Sequence, residues 1–541
     1  MPSSATTLQP PLPGEEAALV TDPRRQLMVL IALCTALVAV VASMSGLNVA
    51  QQALSKDLGA SQSALLWIIN GYTVALASLL LPLGAIGDRW GRKWLLVGGL
   101  VVFGGASVAA AMAGSVTVML IARVVAGAGA ALIMPVTLST ITSTFPPERK
   151  STAIGIWSGL AAAGGIIGLF VSSVIVDNFT WPWVFAMPVA FTVISLGFTL
   201  TFVGNSREHD TGRFDVLGSF LSAVAIGALV LGIHEGPEKG WSSTPAMAGI
   251  VVGLAALAAF IGWERRHENP LFDVRVFANR SLAAGSIALL VAFGVMSGLF
   301  LVLMQFLQAV LSYSAIRAAS GLLPMAAVMM TASSLSPRIA ERLGTRRTLT
   351  IGLSVFTAGL VLLAAFVSAE VGYWSVLPGL VVLGLGIGLT MTPGTTAITG
   401  ALPESQQGVA SALNDTVREL GGALGVALLG SMLNSGYQSS LTPLRGTLDP
   451  GTFGAVKEGI GSALAVAGSP GTSSSTSAAI LGTARDAFVD GWRLSIWVGA
   501  GFAAAALVFV VLRGPSADAG APASVTDYEL QAVLEAELVT N

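Results

Sequence analysis

Charge is what this 541-residue sequence has little of. Asp, Glu, Lys and Arg together make up 10% of it, against roughly 25% in soluble domains. A soluble chain of this length forms about three or four domains and has a large polar surface to cover. Too few charges are present to cover one, so soluble enzyme folds are excluded. A surplus of basic residues is absent too. The net charge of −2 leaves no cationic surface for nucleic acid. Cysteine occurs once, as Cys34 inside an apolar run, so no disulfide can form within the chain. The three histidines, His209, His234 and His267, are scattered without metal-ligand spacing. Neither a metal nor another cofactor is expected. A membrane enzyme would need a carboxylate or metal cluster at the membrane face, and the sequence offers none.

Long apolar stretches are abundant, and the mean hydropathy is +0.78. A membrane helix needs roughly 20 mostly apolar residues. Fourteen runs qualify: 27–47, 65–87, 94–113, 116–142, 152–176, 183–204, 215–233, 245–263, 282–306, 319–336, 349–369, 374–398, 408–433 and 493–512. They are continuous rather than alternating, so they predict helices and not barrel strands. The first run follows Arg24 and Arg25 like a signal peptide, but residues 48–54 are no small-residue cleavage site. The sequence therefore predicts an all-α membrane protein.

Lys and Arg set the orientation. With the N-terminus inside, the inside segments hold 18 of the 27 Lys and Arg residues and the outside segments 7. Arg123 and Arg418 fall within runs. The expected organisation is a disordered cytoplasmic segment 1–26, a six-helix half 27–204, and inserted helices 7 and 8 with their loops over 205–281. A second half follows over 282–513, including an outside loop 434–492 with a Gly/Ser/Thr tract at 468–477. An acidic cytoplasmic tail occupies 514–541, in which Tyr528 to Leu538 can form a short amphipathic helix. The protein is expected in the plasma membrane, with both termini cytoplasmic, surrounded by lipid and monomeric.

The loop after the second run reads Gly84-Ala-Ile-Gly-Asp88-Arg89-Trp-Gly91-Arg92-Lys93. The loop after the tenth reads Pro337-Arg-Ile-Ala-Glu341-Arg342-Leu-Gly344-Thr-Arg346. Acid, Arg, spacer, Gly and a later base recur in order, 253 residues apart. Helices 9–14 then repeat helices 1–6. Two parallel halves suit a transporter that alternates access around a central site. Gly91 permits a tight turn with positive φ. Asp88 is placed to cap or pair at a helix end.

The first loop resembles the signature loop of the major facilitator superfamily, Gly-x-Leu-Ala-Asp-Arg-x-Gly-Arg-Lys. Other segments resemble that superfamily's fourteen-helix drug:proton antiporter branch. They are Arg123-Val-Val-Ala-Gly127-Ala-Gly129, Trp67 with Tyr72, Glu264-Arg265-Arg266, and Gly408-Val-Ala-Ser411-Ala-Leu-Asn414-Asp415-Thr-Val-Arg418-Glu419-Leu-Gly421-Gly422. The resemblance implies the major facilitator fold, two six-helix halves plus two inserted helices. It implies export of lipophilic or cationic compounds, with the proton gradient as energy source.

The chain departs from the branch in two places. Aligned on Asn48-Val49-Ala50, Ser43 stands where the branch carries an aspartate. In helix 5, Gly168-Leu169-Phe-Val-Ser172-Ser173 replaces the antiporter pattern Gly-Pro-x-x-Gly-Gly. Gly155 with Gly159 and Gly164 with Gly168 keep two close-packing faces. Pro182 and Pro188 stand where Arg and Asn are usual.

Charged residues inside spans point to function. Arg123 is one such residue, and the resemblance assigns it to proton coupling or to holding a site carboxylate. Asp415, Arg418 and Glu419 share one helix face by their spacing of three and four. With no aspartate in helix 1, Asp415 and Glu419 are the proton-site candidates and can share a proton. Ser43, Asn48, Trp67, Asn70, Tyr72, Trp157, Gln305 and Gln308 are candidates for the substrate cavity. Two other readings stay open: transport without proton antiport, which Ser43 and Leu169 favour, and a non-transporting sensor or scaffold that uses the 434–492 segment.

Overall fold

A computed structural model describes residues 20–206, 214–470 and 473–514. The predicted amphipathic helix Tyr528 to Leu538 lies outside the described residues, as do residues 1–19 of the N-terminal segment. Among the described residues, fourteen helices are long and apolar enough to cross a membrane. They are α1 Pro23–Leu58, α2 Gln62–Trp90, α3 Arg92–Ala111, α4 Val116–Thr144, α5 Pro147–Asn178, α6 Ala186–Phe202 and α7 Val216–Lys239. Then follow α8 Thr244–Glu264, α9 Arg280–Gln305, α10 Leu323–Leu343, α11 Thr345–Phe366, α12 Tyr373–Thr399, α13 Gln407–Ser440 and α14 Ser474–Arg513.

Local chemistry sets the boundaries. Asp22 caps α1 by accepting from the backbone N–H of Arg24 and Arg25, and Pro23 supplies the first helical position. Gly91 turns α2 into α3 with φ 106°, and Gly344 turns α10 into α11 with φ 84°. These two left-handed glycines are 253 residues apart, so the backbone carries the same offset as the sequence. Pro182 and Pro188 fall in the first turns of the 3-10 segment Trp181–Phe185 and of α6, where a missing N–H costs least.

The two halves pack alike. In the first, α1 lies against α4, α5 and α6, α2 against α4, and α3 against α4 and α6. In the second, α9 lies against α12, α13 and α14, α10 against α12, and α11 against α12 and α14. Adding eight to each helix number converts one set of pairs into the other. The halves meet through two related pairs of contacts, α2 with α13 and α5 with α10, flanked by α4 with α13 and α5 with α12. The inserted α7 and α8 pair with each other, and α7 lies over α2 and α13. Small residues allow these approaches. A Cβ on Gly84 would meet the Gly408 carbonyl oxygen and the Ala412 Cβ at 2.6 Å, so α2 and α13 touch backbone to backbone there.

Two sequence expectations need correction. The segment 434–492 is not one long loop. α13 runs on to Ser440, α14 starts at Ser474, and Pro450–Lys457 and Ile460–Ala467 are short helices. Val456, Ile460, Ala463 and Ala467 are buried in the same apolar cluster as Ile480, Ala484 and Phe488 of the extended α14, on which the helix Ile460–Ala467 packs. The Gly/Ser/Thr tract supplies Ser473, which caps α14. The expected disorder of 1–26 does not hold for residues 20–26, where Val20 is tied down. The Val20 N–H donates to the Thr144 carbonyl, and the Gln26 side chain donates to the Val20 carbonyl.

Candidate functional site

The signature loop lies at the membrane face where α13 begins. The Asp88 carboxylate accepts from the Gly408 N–H at 2.8 and 2.7 Å and from the Val409 N–H at 3.3 Å. Gly408 is the second residue of α13, so these are helix-start donors with no partner inside their own helix. Arg92 closes the arrangement from within the loop, with Nη2 2.6 Å from Asp88 Oδ1. Asp88 thus ties the first half to the second. A strap from the α6–α7 linker holds the same loop. The Arg92 N–H donates to the Ser206 carbonyl, Lys93 donates to the Leu200 carbonyl, Arg89 lies over the Phe214 ring, and Trp90 stacks on that ring.

The repeat of this loop, where Glu341 and Arg342 are expected to take part in gating, does not copy the Asp88 contact. Both are exposed. The residue 253 positions before Gly408 is Gly155, which lies eight residues inside α5, where its N–H belongs to the helix ladder. Among the described residues, no helix-start N–H donates to Glu341. Arg346 instead donates to the Val511 carbonyl at the end of α14.

The halves also meet where α5 faces α10. A Cβ on Gly155 would meet the Ser333 carbonyl at 3.0 Å and Pro337 Cγ at 3.1 Å, and Gly159 faces Ser333 and Met330. Ser333 Oγ donates to the Gly155 carbonyl at 3.0 Å. Gly164 and Gly168 turn the next part of α5 toward Val41 and Ala42 of α1. Without the proline of the branch pattern, α5 is one unbroken helix of 32 residues.

Deeper in, each half holds a cluster around a buried arginine. In the first half, Arg123 of α4 is 1% exposed. Its Nη1 donates to Ser43 Oγ of α1 at 3.2 Å, and its Nε donates to the Ile68 carbonyl of α2 at 3.3 Å. Its guanidinium lies over the Tyr72 ring, 4.2 Å from the centroid. Tyr72 in turn donates its hydroxyl to the Val40 carbonyl at 3.2 Å. Ser43, at the branch's aspartate position, is therefore the side-chain partner of Arg123.

In the second half, Arg418 Nη1 is 3.3 Å from Asp415 Oδ1, with both side chains buried. Asn414 Nδ2 donates to the same carboxylate oxygen at 3.2 Å. The Arg418 guanidinium lies 4.2 Å from the Phe293 ring centroid of α9 and 5.4 Å from that of Trp157 of α5. Trp157 is fixed by its indole N–H, which donates to Thr137 Oγ1 of α4 at 3.0 Å. Glu419 lies half-buried within electrostatic range of Asp415, Arg418 and Tyr72. Arg123 Nη2, Arg418 Nε, Asp415 Oδ2 and Asn414 Oδ1 are buried without a protein hydrogen-bond partner. Buried donors and acceptors left without any partner cost about 1–3 kcal/mol each, so these four atoms are the ones at the centre open to water, a proton or a ligand.

Ser43, Tyr72, Trp157, Arg123, Asp415, Arg418 and Glu419 are thus gathered at the centre. Trp67 is exposed and Asn70 half-buried on the α2 turn beside it, and neither hydrogen-bonds to the clusters among the described residues. Gln305 ends α9 and Gln308 is exposed in the π turn Phe306–Val310 that follows. Twelve residues separate Gln305 from Phe293, about 18 Å along a helix, so these two amides are away from the clusters. The side chain of Asn48 lies outside the described ones. Phe293, Thr137 and the Ile68 carbonyl were not legible as site groups. Asn414 stands in the same sequence segment as Asp415 and was within reach.

A model of the Major Facilitator Superfamily matches residues 31–216 and 212–426. The chain is 31% identical over 422 residues to the multidrug resistance protein Stp of Mycobacterium tuberculosis, covering 78% of each. It is 30% identical over 478 residues to the methyl viologen resistance protein SmvA of Salmonella typhimurium, covering 87% of this chain and 94% of that one. The crystal structure of the human organic anion transporter MFSD10 superposes with a TM-score of 0.61 at 12% identity, over 90% of this chain and all of the other. That likeness concerns the fold. With the repeated helix pairs, the Asp88 loop and these matches together, the chain belongs to the Major Facilitator Superfamily.

Proposed function

We propose that this transporter exports lipophilic, amphipathic and cationic compounds, and that the proton gradient drives it through Asp415 and Glu419. The observation that carries this reading is the incomplete buried centre. Two guanidinium and two carboxyl groups lie between the halves, with unpartnered donors on Arg123 and Arg418 and unpartnered acceptors on Asp415 and Asn414. Carboxyl groups within a span are proton-relay candidates by default. Proton exchange at Asp415 loosens or restores its grip on Arg418, while Glu419 communicates with the Tyr72–Arg123 side. The names of Stp and SmvA support drug and viologen compounds as the substrate class. The excess of Lys and Arg at the signature-loop face supports a cytoplasmic location for that face and both termini, in a plasma membrane. The protein acts as a monomer among lipids, with no cofactor.

The test is uptake of a panel of labelled compounds into proteoliposomes, with and without an imposed pH gradient. Gradient-dependent flux that disappears in the double variant Asp415→Asn, Glu419→Gln supports the reading. Flux that ignores both the gradient and the variants favours transport without proton antiport, the reading that Ser43 and Leu169 recommend.

A further inference from the structure

The Arg418 guanidinium is seated as a bound cation would be. Phe293 presents its ring at 4.2 Å and Trp157 at 5.4 Å. Asp415 supplies the counter-charge. Two aromatic faces and a carboxylate are the means by which proteins hold organic cations. The rings belong to different halves, Trp157 to α5 and Phe293 to α9, so a cation between them touches both moving parts.

Arg418 fits this seat poorly. One N–H reaches one carboxylate oxygen, at 3.3 Å, where a guanidinium and a carboxylate can form two short parallel bonds. Its Nε and Asp415 Oδ2 are left buried without protein partners. Arg123 differs. Two hydrogen bonds from separate helices hold it, in addition to the Tyr72 ring. The weakly held arginine is the one on the two-ring seat. A second carboxyl group, Glu419, stands next to it in α13 and within its electrostatic range.

We infer that Arg418 is a tethered competitor for an organic-cation seat formed by Phe293, Trp157 and Asp415. A lipophilic cation takes the seat when the Arg418 side chain swings toward Glu419. This rests on the reading that the chain carries lipophilic compounds, and it makes Arg418 a residue that sets selectivity. A cation must outbid the guanidinium for two rings. Large, weakly hydrated ions do so, and small hydrated ones do not.

Binding of tetraphenylphosphonium, a permanent cation without hydrogen-bond donors, to the purified full-length protein tests this by calorimetry. Arg418→Met removes the competitor and should tighten binding about ten-fold, the scale of one desolvated cation–aromatic contact. Adding Phe293→Leu or Asp415→Asn to Arg418→Met should reverse the gain. The neutral analogue triphenylphosphine oxide should bind equally well to wild type and variant. Unchanged or weaker phosphonium binding by folded Arg418→Met overturns the inference. So does equal tightening of the neutral analogue, which would mean added space and not removed charge. Should Arg418→Met not fold, Arg418→Lys keeps the charge and stacks less well on the rings. It must still bind the phosphonium ion more tightly than wild type, and equal or weaker binding overturns the inference. Wild-type flux of the phosphonium ion in proteoliposomes separates the two ideas. Absent flux defeats the export reading, whereas normal flux with no gain on removing Arg418 defeats only this one.

Discussion

Arg123 donates to the hydroxyl of Ser43 at 3.2 Å, across the contact of α4 with α1. A neutral hydroxyl thus serves a buried guanidinium whose Nη2 is left without a protein partner. Ser43→Ala should leave a second nitrogen unsatisfied and lower stability by about 1–3 kcal/mol. Ser43→Asp should reverse the sign by giving Arg123 an ionic partner. Thermal unfolding in detergent checks both. A Ser43→Asp variant less stable than Ser43→Ala would show that the hydroxyl is not where Arg123 is held.

The Asp88 lock gives a second prediction. Asp88→Asn keeps the shape but removes the charge that faces the α13 start and Arg92. Breaking a buried pair on one side costs about 3–5 kcal/mol. Transport should fall at least about ten-fold, because 1.4 kcal/mol already changes an equilibrium that much. Glu341→Gln, at the repeat position, should leave transport near wild type, since that side chain is exposed. Flux assays on the two variants side by side decide it. Equal losses would mean that the second loop also locks.

Gly155 supplies a third. An added Cβ would press on the Ser333 carbonyl and Pro337. Gly155→Val should part α5 from α10 at the signature-loop face and favour the arrangement open there. In a Cys34→Ser background, a cysteine in place of Ser334 should react faster with a membrane-impermeant thiol reagent applied from that face. An unchanged labelling rate would place the tight contact elsewhere.

The helical cap of 434–492 supplies a fourth. Tyr437 donates to the Val456 carbonyl at 2.9 Å, joining α13 to the short helix Pro450–Lys457. Asp449 caps that helix by accepting from the Gly451 and Thr452 N–H groups, and hydrogen bonds from the Thr452 side chain, the Thr452 N–H and the Gly451 N–H hold its exposed carboxyl below the usual range. Asp449→Ala should speed amide exchange over 450–457 while leaving α13 unchanged, and Tyr437→Phe should do so more weakly. Hydrogen-exchange mass spectrometry reads both.

What the sequence makes legible follows physical scale. A span of about 20 apolar residues is a long signal, and fourteen such spans correspond to fourteen helices. The 253-residue offset is equally plain, because Gly91 and Gly344 must both adopt positive φ. The cap was misread because its helices are short and bury only one face, so no long apolar run marks them. The exposure of Glu341 was not legible because sequence shows the acid but not what faces it. Phe293 is one of 22 phenylalanines, and its role depends on Arg418 reaching it from another helix. The buried charges were legible individually. Their division into Arg123 with Ser43 and Arg418 with Asp415 was not, because pairing is a matter of packing.

The inserted hairpin breaks the equivalence of the halves. α7 lies over the seam of α2 with α13, whereas no helix covers the related seam of α5 with α10 in that way among the described residues. The two seams, equivalent by the repeat, therefore differ in what backs them: any relative movement of the halves must carry α7 along on one flank and no such helix on the other.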